Sequence, residues 1–241
     1  MNKPVLQLEG VDKTYNKGLP GEVCVLRGAS LSVRPGEVVA LVAPSGAGKS
    51  TLLDAIAGFL PPKAGRVIFQ GQDLGPLAPG ARPVSMLFQD NNLFPHLTAA
   101  QNVALGLRPN LRLSKAEWQQ VEACLDRVGL SGFGQRKPGA LSGGQRSRVA
   151  LARVLLRDRP LMLLDEPFSA LGPALKAEML VLVRELAIET GATLLMVTHD
   201  PEDAAMIGDQ TVLVAEGQVH APVDTGELFT NPPEALRAYL G

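Results

Sequence analysis

Several features that would narrow the function of this 241-residue chain are missing. Cysteine occurs only twice, at Cys24 and Cys124, with no short spacing between them. That excludes a zinc site or a disulfide framework built on thiols, and predicts two reduced, packed thiols. Neither sign of charge prevails, with 23 Lys+Arg against 24 Asp+Glu. The cationic surplus that grips a phosphate backbone is therefore absent, and no nucleic-acid partner is expected. No apolar run approaches the roughly 18 residues of a membrane span, and the opening MNKPVLQLEG lacks the apolar stretch of a signal peptide. Any membrane role must come through a partner. Internal repeats and low-complexity runs are also lacking. Glycine (25) and proline (19) are plentiful, yet below the share typical of disordered chains. The length allows one to two domains with ample material for a core.

What the chain does possess is the stretch VVALVAPSGAGKSTLLDAIAGFL at residues 38–60. Val38-Val39-Ala40-Leu41-Val42 is too short for a helix and rich in β-branched residues, so it reads as a parallel-sheet strand buried on both faces. A glycine-bearing turn follows, and Leu52, Leu53, Ile56 and Phe59 then recur at helical spacing. Strand, glycine loop and helix in that order is the setting of a phosphate loop. Gly46 and Gly48 let the backbone close around a polyphosphate, and the helix N-terminus adds the positive end of its dipole. The expected cradle is Ala43, Pro44, Ser45, Gly46, Ala47, Gly48, Lys49, Ser50 and Thr51. Lys49 is placed to reach the β- and γ-phosphates, and the Ser50 hydroxyl to bind Mg²⁺. Ala43 stands where the pattern has glycine, which is tolerable if its φ is negative.

Around this stretch, Val5–Thr14, Val23–Leu26 and Leu31–Val33 read as strands, with turns at Pro20-Gly21, Arg27-Gly28 and Pro35-Gly36. They predict an antiparallel β-layer. Arg66–Phe69 and Pro83–Phe88 are further strands, the second ending at Gln89. From Asp90 to about Leu156 helical periodicity dominates, with Trp118, Val121, Cys124 and Leu125 as one stripe. A helical subdomain over residues 90–156 is therefore expected, inserted into an α/β core formed by 1–89 and 157–241. Leu161–Leu164 reads as a buried strand. Pro173–Thr190 reads as a helix with Leu175, Met179, Leu182 and Leu186 inward, stopped by Gly191. Thr193–Val197 is the next strand, and Thr211–Val214 with Gln218-Val219 predicts a hairpin.

The chemistry concentrates at strand ends. Asp165-Glu166 follows four apolar residues, and paired carboxylates there are costly unless neutralised or used. Asp165 is placed to hold Mg²⁺ opposite Ser50, and Glu166 to polarise a water for attack on a γ-phosphate. His199, after the next strand, is placed to bond that phosphate, and Gln89 to reach the metal or the water. Ser142 and Gln145 form a capping box. The intervening Gly143 and Gly144, which cost about 1 kcal/mol each in a helix, suit a first turn lying against an anion. Tyr15 offers an aromatic face to a nucleobase. His96 and His220 have no such placement.

Taken together, APSGAGKST, Gln89, LSGGQ, LMLLDEP and His199, in that order, resemble the ATP-binding subunit of an ABC transporter over nearly the whole chain. The resemblance implies a P-loop NTPase fold, ATP and Mg²⁺ as cofactors, and ATP hydrolysis coupled to transport. It implies a homodimer closed head to tail around two ATP molecules, each LSGGQ helix facing the γ-phosphate bound by the other copy. Tyr15 would stack on adenine, Gln89 would sense the metal beside the membrane-subunit contact, Glu166 would be the base and His199 the γ-phosphate switch. Transmembrane permease subunits, and indirectly a periplasmic substrate-binding protein, are the implied partners at the cytoplasmic face of a bacterial inner membrane. The family's S-A-L-D is Ser169-Ala170-Leu171-Gly172 here, which removes a polar contact across the dimer. RPVSMLFQDNNLFPHLTAAQNVALGL, PFSALGPAL and LLMVTHDPEDA are similar to the ATPases of bacterial thiamine importers, whereas VLRGASLSV and LVAPSGAGKSTLL look more like lipoprotein-releasing ATPases. By that resemblance the stretch after Gln89 would meet the membrane subunit, so import of thiamine or thiamine phosphate is the expectation. Lipoprotein release, or a non-hydrolysing scaffold suggested by Ala43 and Gly172, are the alternatives.

Overall fold

The computed structural model describes residues 3–16, 22–43 and 47–230. The turn at Pro20-Gly21 and three residues of the expected cradle, Pro44, Ser45 and Gly46, lie outside them. In chain order, β1 (Leu6–Tyr15), β2 (Val23–Val33) and β3 (Val38–Val42) lead into α1 (Lys49–Ala57). Then come β4 (Ala64–Phe69), β5 (Gln72–Asp73), β6 (Val84–Leu87) and three helices, α2 (Ala99–Ala104), α3 (Lys115–Arg127) and α4 (Gly143–Leu156). β7 (Leu161–Asp165), α5 (Pro173–Thr190), β8 (Thr193–Thr198) and α6 (Pro201–Ile207) follow. β9 (Gln210–Ala215), β10 (Gln218–Val219), β11 (Val223–Asp224) and α7 (Thr225–Thr230) complete the described chain.

The strands form two sheets. One is antiparallel in the order β2-β1-β4-β5, and the other runs β10-β9-β3-β8-β7-β6, with β11 pairing to β9. The strands from β9 to β6 in the second sheet are mutually parallel, and β10 and β11 are antiparallel to β9. Alternation along each strand sorts the core. Val39, Leu41, Leu161, Leu163, Leu195 and Val197 face one way and pack with α1 and the antiparallel sheet. Met162, Leu164, Leu194 and Met196 face the other way and pack with α2, α3, α4 and α5. The α/β architecture, with its antiparallel layer, is the one expected.

Three local expectations are corrected. Arg27-Gly28 is not a turn, because β2 runs through it. Val11 pairs Ala29 and Lys13 pairs Leu26, so β2 carries one extra residue there. Gly28, at φ 58, forms the left-handed position of this bulge. On α5 the buried face is Met179, Leu180, Val183, Leu186 and Ala187, while Leu175 and Leu182 are only half-buried. Phe59 lies beyond the Gly58 cap of α1 and is exposed rather than inward.

Gly172 is the N-cap of α5, with φ −66 and ψ 157 and no side-chain hydrogen bond. A Cβ added there meets nothing within 4 Å. Asp is the better cap and favours the dipole, so Gly172→Asp should stabilise the protein by about 0.5 kcal/mol, a rise of roughly 1–2 °C in Tm. A fall in Tm on thermal denaturation would contradict this.

Candidate functional site

Parallel strands send their following loops out at one edge, and the register here sets which residues meet. Val42 pairs Thr198 and Asp165 pairs Val197, so Ala43, Glu166 and His199 leave β3, β7 and β8 at nearly one level. Leu87 pairs Leu164, which brings Gln89 out beside Glu166. β6 stands three strand spacings from β3, about 14 Å away. Gln89 itself is exposed there.

The end of β3 and the start of α1 build the first wall. Ala43 is fully buried and is not among the described residues of positive φ, which meets the condition set for a methyl group at that position. Gly48 caps α1 at φ 98. A Cβ there would fall 2.8 Å from Val25 Cγ1 and 2.9 Å from the Val25 carbonyl oxygen, so glycine is required. Lys49, 5% exposed, donates from Nζ to the Ala43 carbonyl at 2.7 Å. Half-buried Ala47 packs on the same core. Ser50 Oγ donates to Asp165 Oδ1 at 3.2 Å. Thr51 Oγ1 lies 3.5 Å from the hydroxyl of Tyr15, the exposed last residue of β1.

The second wall is acidic. Burial pushes the Asp165 carboxyl above its ordinary value; the Ser50 hydrogen bond opposes the shift, and the charges of Glu166 and Asp54 add to it. Glu166 adopts φ 41, a left-handed conformation that costs a non-glycine residue about 1–2 kcal/mol. Its backbone N–H is tied to Val197 O of β8 at 3.0 Å. The Glu166 side chain is thereby held between two cations or potential cations. Oε1 lies 3.5 Å from Lys49 Nζ, and Oε2 lies 2.7 Å from His199 Nδ1. Against an ionised carboxylate, which only accepts, that ring nitrogen is the donor.

Ser142 and Gln145 cap α4 reciprocally, Ser142 Oγ accepting from Gln145 N at 3.3 Å and Gln145 Oε1 from Ser142 N at 2.9 Å. The two glycines between them separate. A Cβ on Gly144 would fall 2.4 Å from Leu175 Cδ2 of α5, so that leucine side chain would have to shift to admit one. A Cβ on Gly143 would lie 3.7 Å from Leu171 Cδ2 and 3.9 Å from Arg146 Nη2, ordinary contact distances. Hydrogen bonds and ion pairs thus join Lys49, Glu166 and His199 in one group and Ser50 with Asp165 in another, while Ser142 and Gln145 bond each other. His96 and His220 are exposed, as expected.

Two cations with no motif of their own, Arg153 and Lys176, also hold this region together. Arg153 of α4 donates to the carbonyls of Asn92 at 2.8 Å and Asn91 at 2.7 Å, binding the loop after Gln89 to the helix that Ser142 caps. Burial lowers its pKa. One cation in the apolar run Val149–Leu156 was the available signal.

Residues 26–169 match the sequence model of the ABC transporter family. The chain is 64% identical over 206 residues to the thiamine import ATP-binding protein of Cereibacter sphaeroides, covering 86% of this chain and 89% of that protein. It is 59% identical over 221 residues to the thiamine import ATP-binding protein of Ruegeria sp., covering 92% and 95%. Among solved structures it is similar to a dimeric ATP-binding cassette in a post-hydrolysis state bound to ADP and Pi, with TM-score 0.81 and 32% identity over 91% of this chain and 98% of that one. With the family match, the relatives and the folded neighbour all spanning most of its length, the chain belongs to the ABC transporter family.

Proposed function

We propose that this protein is the ATP-binding and ATP-hydrolysing subunit of a bacterial ABC importer of thiamine or thiamine phosphate. Two copies close head to tail around two Mg-ATP and drive a transmembrane permease at the cytoplasmic face of the inner membrane. One observation carries the hydrolase reading: the Glu166 carboxylate stands between Lys49 and His199 at the edge where the phosphate loop leaves the sheet. A polyphosphate offers Lys49 a stronger partner, and Lys49 then leaves Glu166 to act as general base toward water. His199, anchored through Nδ1, bonds the terminal phosphate. Tyr15, beside Thr51, stacks on the base. Ser142, Gly143, Gly144 and Gln145 close the site of the other copy, the exposed N-terminus of α4 turned to its γ-phosphate.

Ser50, Asp165 and Gln89 supply hard oxygen donors, which suit Mg²⁺. Among the described residues no group of three or more His, Cys, Asp or Glu side chains forms a metal cage. A cation that keeps water and phosphate oxygens as ligands fits that sparse set. When bound, Mg²⁺ neutralises charge on the β- and γ-oxygens. Residues 90–156 act as a subdomain that carries the α4 cap toward its partner site. Beside the Gln89 exit lies a groove of about 590 Å³ lined by Phe59, Phe88, Phe94, Leu105, Arg153 and Arg157. Phe59 and Phe94 are 52% and 47% exposed, an apolar surface that suits the permease. The cargo rests on the names of the relatives.

Glu166→Gln keeps the shape of the side chain and removes the base, so phosphate release should fall roughly 10²–10⁴-fold while ATP binding persists. Equal release by the two proteins would overturn the assignment, and a wild-type protein that releases none would leave the scaffold alternative standing. For the cargo, the chain and its cognate permease should restore radiolabelled thiamine uptake to a bacterium whose own import ATPase is deleted. Failure there, with restored lipoprotein release in a strain deficient in it, would reassign the transported molecule.

A further inference from the structure

Lys176 lies in the first turn of α5, its N–H bonded to Gly172 O at 2.9 Å. Its ammonium pairs with the Asp200 carboxylate and lies 2.6 Å from Asp203 Oδ1. Those two acids frame the turn that carries His199. The Asp200 N–H donates to Thr198 Oγ1 at 3.0 Å, and that hydroxyl donates to Asp203 Oδ2 at 2.9 Å. Asp200 Oδ1 also caps α6 by accepting from Glu202 N at 2.9 Å. Burial alone would lower the Lys176 pKa, but its bonds and charge pairing with Asp200 and Asp203 hold it above its ordinary value. Burial would likewise raise Asp200, and Lys176 holds it below the usual range. The group stays ionised.

A fastening of α5 to α6 would be the plain reading, and a second cation does fasten them. At the far end of α6, Arg184 donates to the Ile207 carbonyl and to Asp209 Oδ1, the latter at 2.6 Å. Lys176 differs in what its partners hold, since the residue between Thr198 and Asp200 is the histidine on Glu166. We propose that Lys176 is a positioning residue for ATP hydrolysis: by gripping Asp200 and Asp203 it fixes the Thr198–Asp200 turn so that the His199 imidazole meets Glu166. The inference rests on the hydrolase reading above. A flexible turn would leave His199, itself 50% exposed on its side chain, to sample other rotamers, and misplacement of about 1 Å is worth up to roughly 10²-fold in rate.

The test compares full-length wild type, Lys176→Gln, Lys176→Arg and Arg184→Gln by steady-state ATP hydrolysis, thermal denaturation and the imidazole ¹⁵N resonances of His199. Lys176→Gln should lower kcat roughly 10–100-fold with KM for ATP unchanged, and shift the His199 resonances. Lys176→Arg, which keeps the charge, should recover most of the rate. Arg184→Gln should lower Tm and leave kcat and the His199 resonances in place. Wild-type kcat in Lys176→Gln, or equal loss of kcat in Arg184→Gln, would overturn the proposal. If Lys176→Gln does not fold, Asp203→Asn takes its place with a smaller expected loss of kcat, and a wild-type rate in that variant would overturn it equally. A wild-type chain without hydrolysis would instead sink the hydrolase reading, and the His199 resonances would still report whether Lys176 sets the imidazole.

Discussion

The site is organised by the grip of one carboxylate on two nitrogens. Glu166 meets buried Lys49 through one oxygen and His199 through the other. Leaving a buried ammonium unpaired costs about 3–5 kcal/mol, and Lys49 is met by the Glu166 carboxylate and the Ala43 carbonyl. On the proposed reading, a bound polyphosphate would replace Glu166 at Lys49 and set the same oxygens free for base chemistry. Rest and reaction would then be two states of one group. The arrangement needs strand ends at one level, which the pairings Val42–Thr198 and Asp165–Val197 supply. It also needs Glu166 in its left-handed conformation, which the bond to Val197 O holds.

Supporting contacts extend this grip into the helical layer. The first turn of α5 presses Leu175 onto Gly144 of α4 and sends Lys176 to the turn bearing His199. Arg153, lower on α4, holds the carbonyls of Asn91 and Asn92, just past Gln89. The helix whose cap would seal a second copy's nucleotide is therefore tied at its start to α5 and farther along to the groove proposed for the permease. A displacement of α4 cannot leave either neighbour unaffected in a close-packed interior. On the proposed reading, that is a physical route by which nucleotide closure and permease movement would be joined, and it does not use an acid at position 172.

Much of this was legible in the residues. The apolar runs at Val38–Val42 and Leu161–Leu164 and the Gly48-Lys49-Ser50 turn each have one dominant local solution, so the strands, the start of α1 and the place of the acid pair were foreseeable. Gly28 was not, because a glycine in a bulge and a glycine in a turn share the same positive φ and differ only in what lies opposite. The approach of Leu175 to Gly144 was not legible either, because the two are far apart in sequence and close only after folding. Lys176 and its acids are likewise far apart along the chain, beyond any helical spacing that would have flagged them. Arg184, which holds the other end of α6, is hidden in the same way.

The most direct trial of the central claim is a crystal structure of Glu166→Gln with Mg-ATP. The account predicts a head-to-tail dimer, with Lys49 Nζ on the β- and γ-phosphates and no longer beside residue 166. His199 should be on the γ-phosphate, and Ser142 and Gly143 of one copy against the nucleotide of the other. Nucleotide bound while Lys49 still rests on residue 166, or α4 caps turned away from the partner's phosphates, would contradict it.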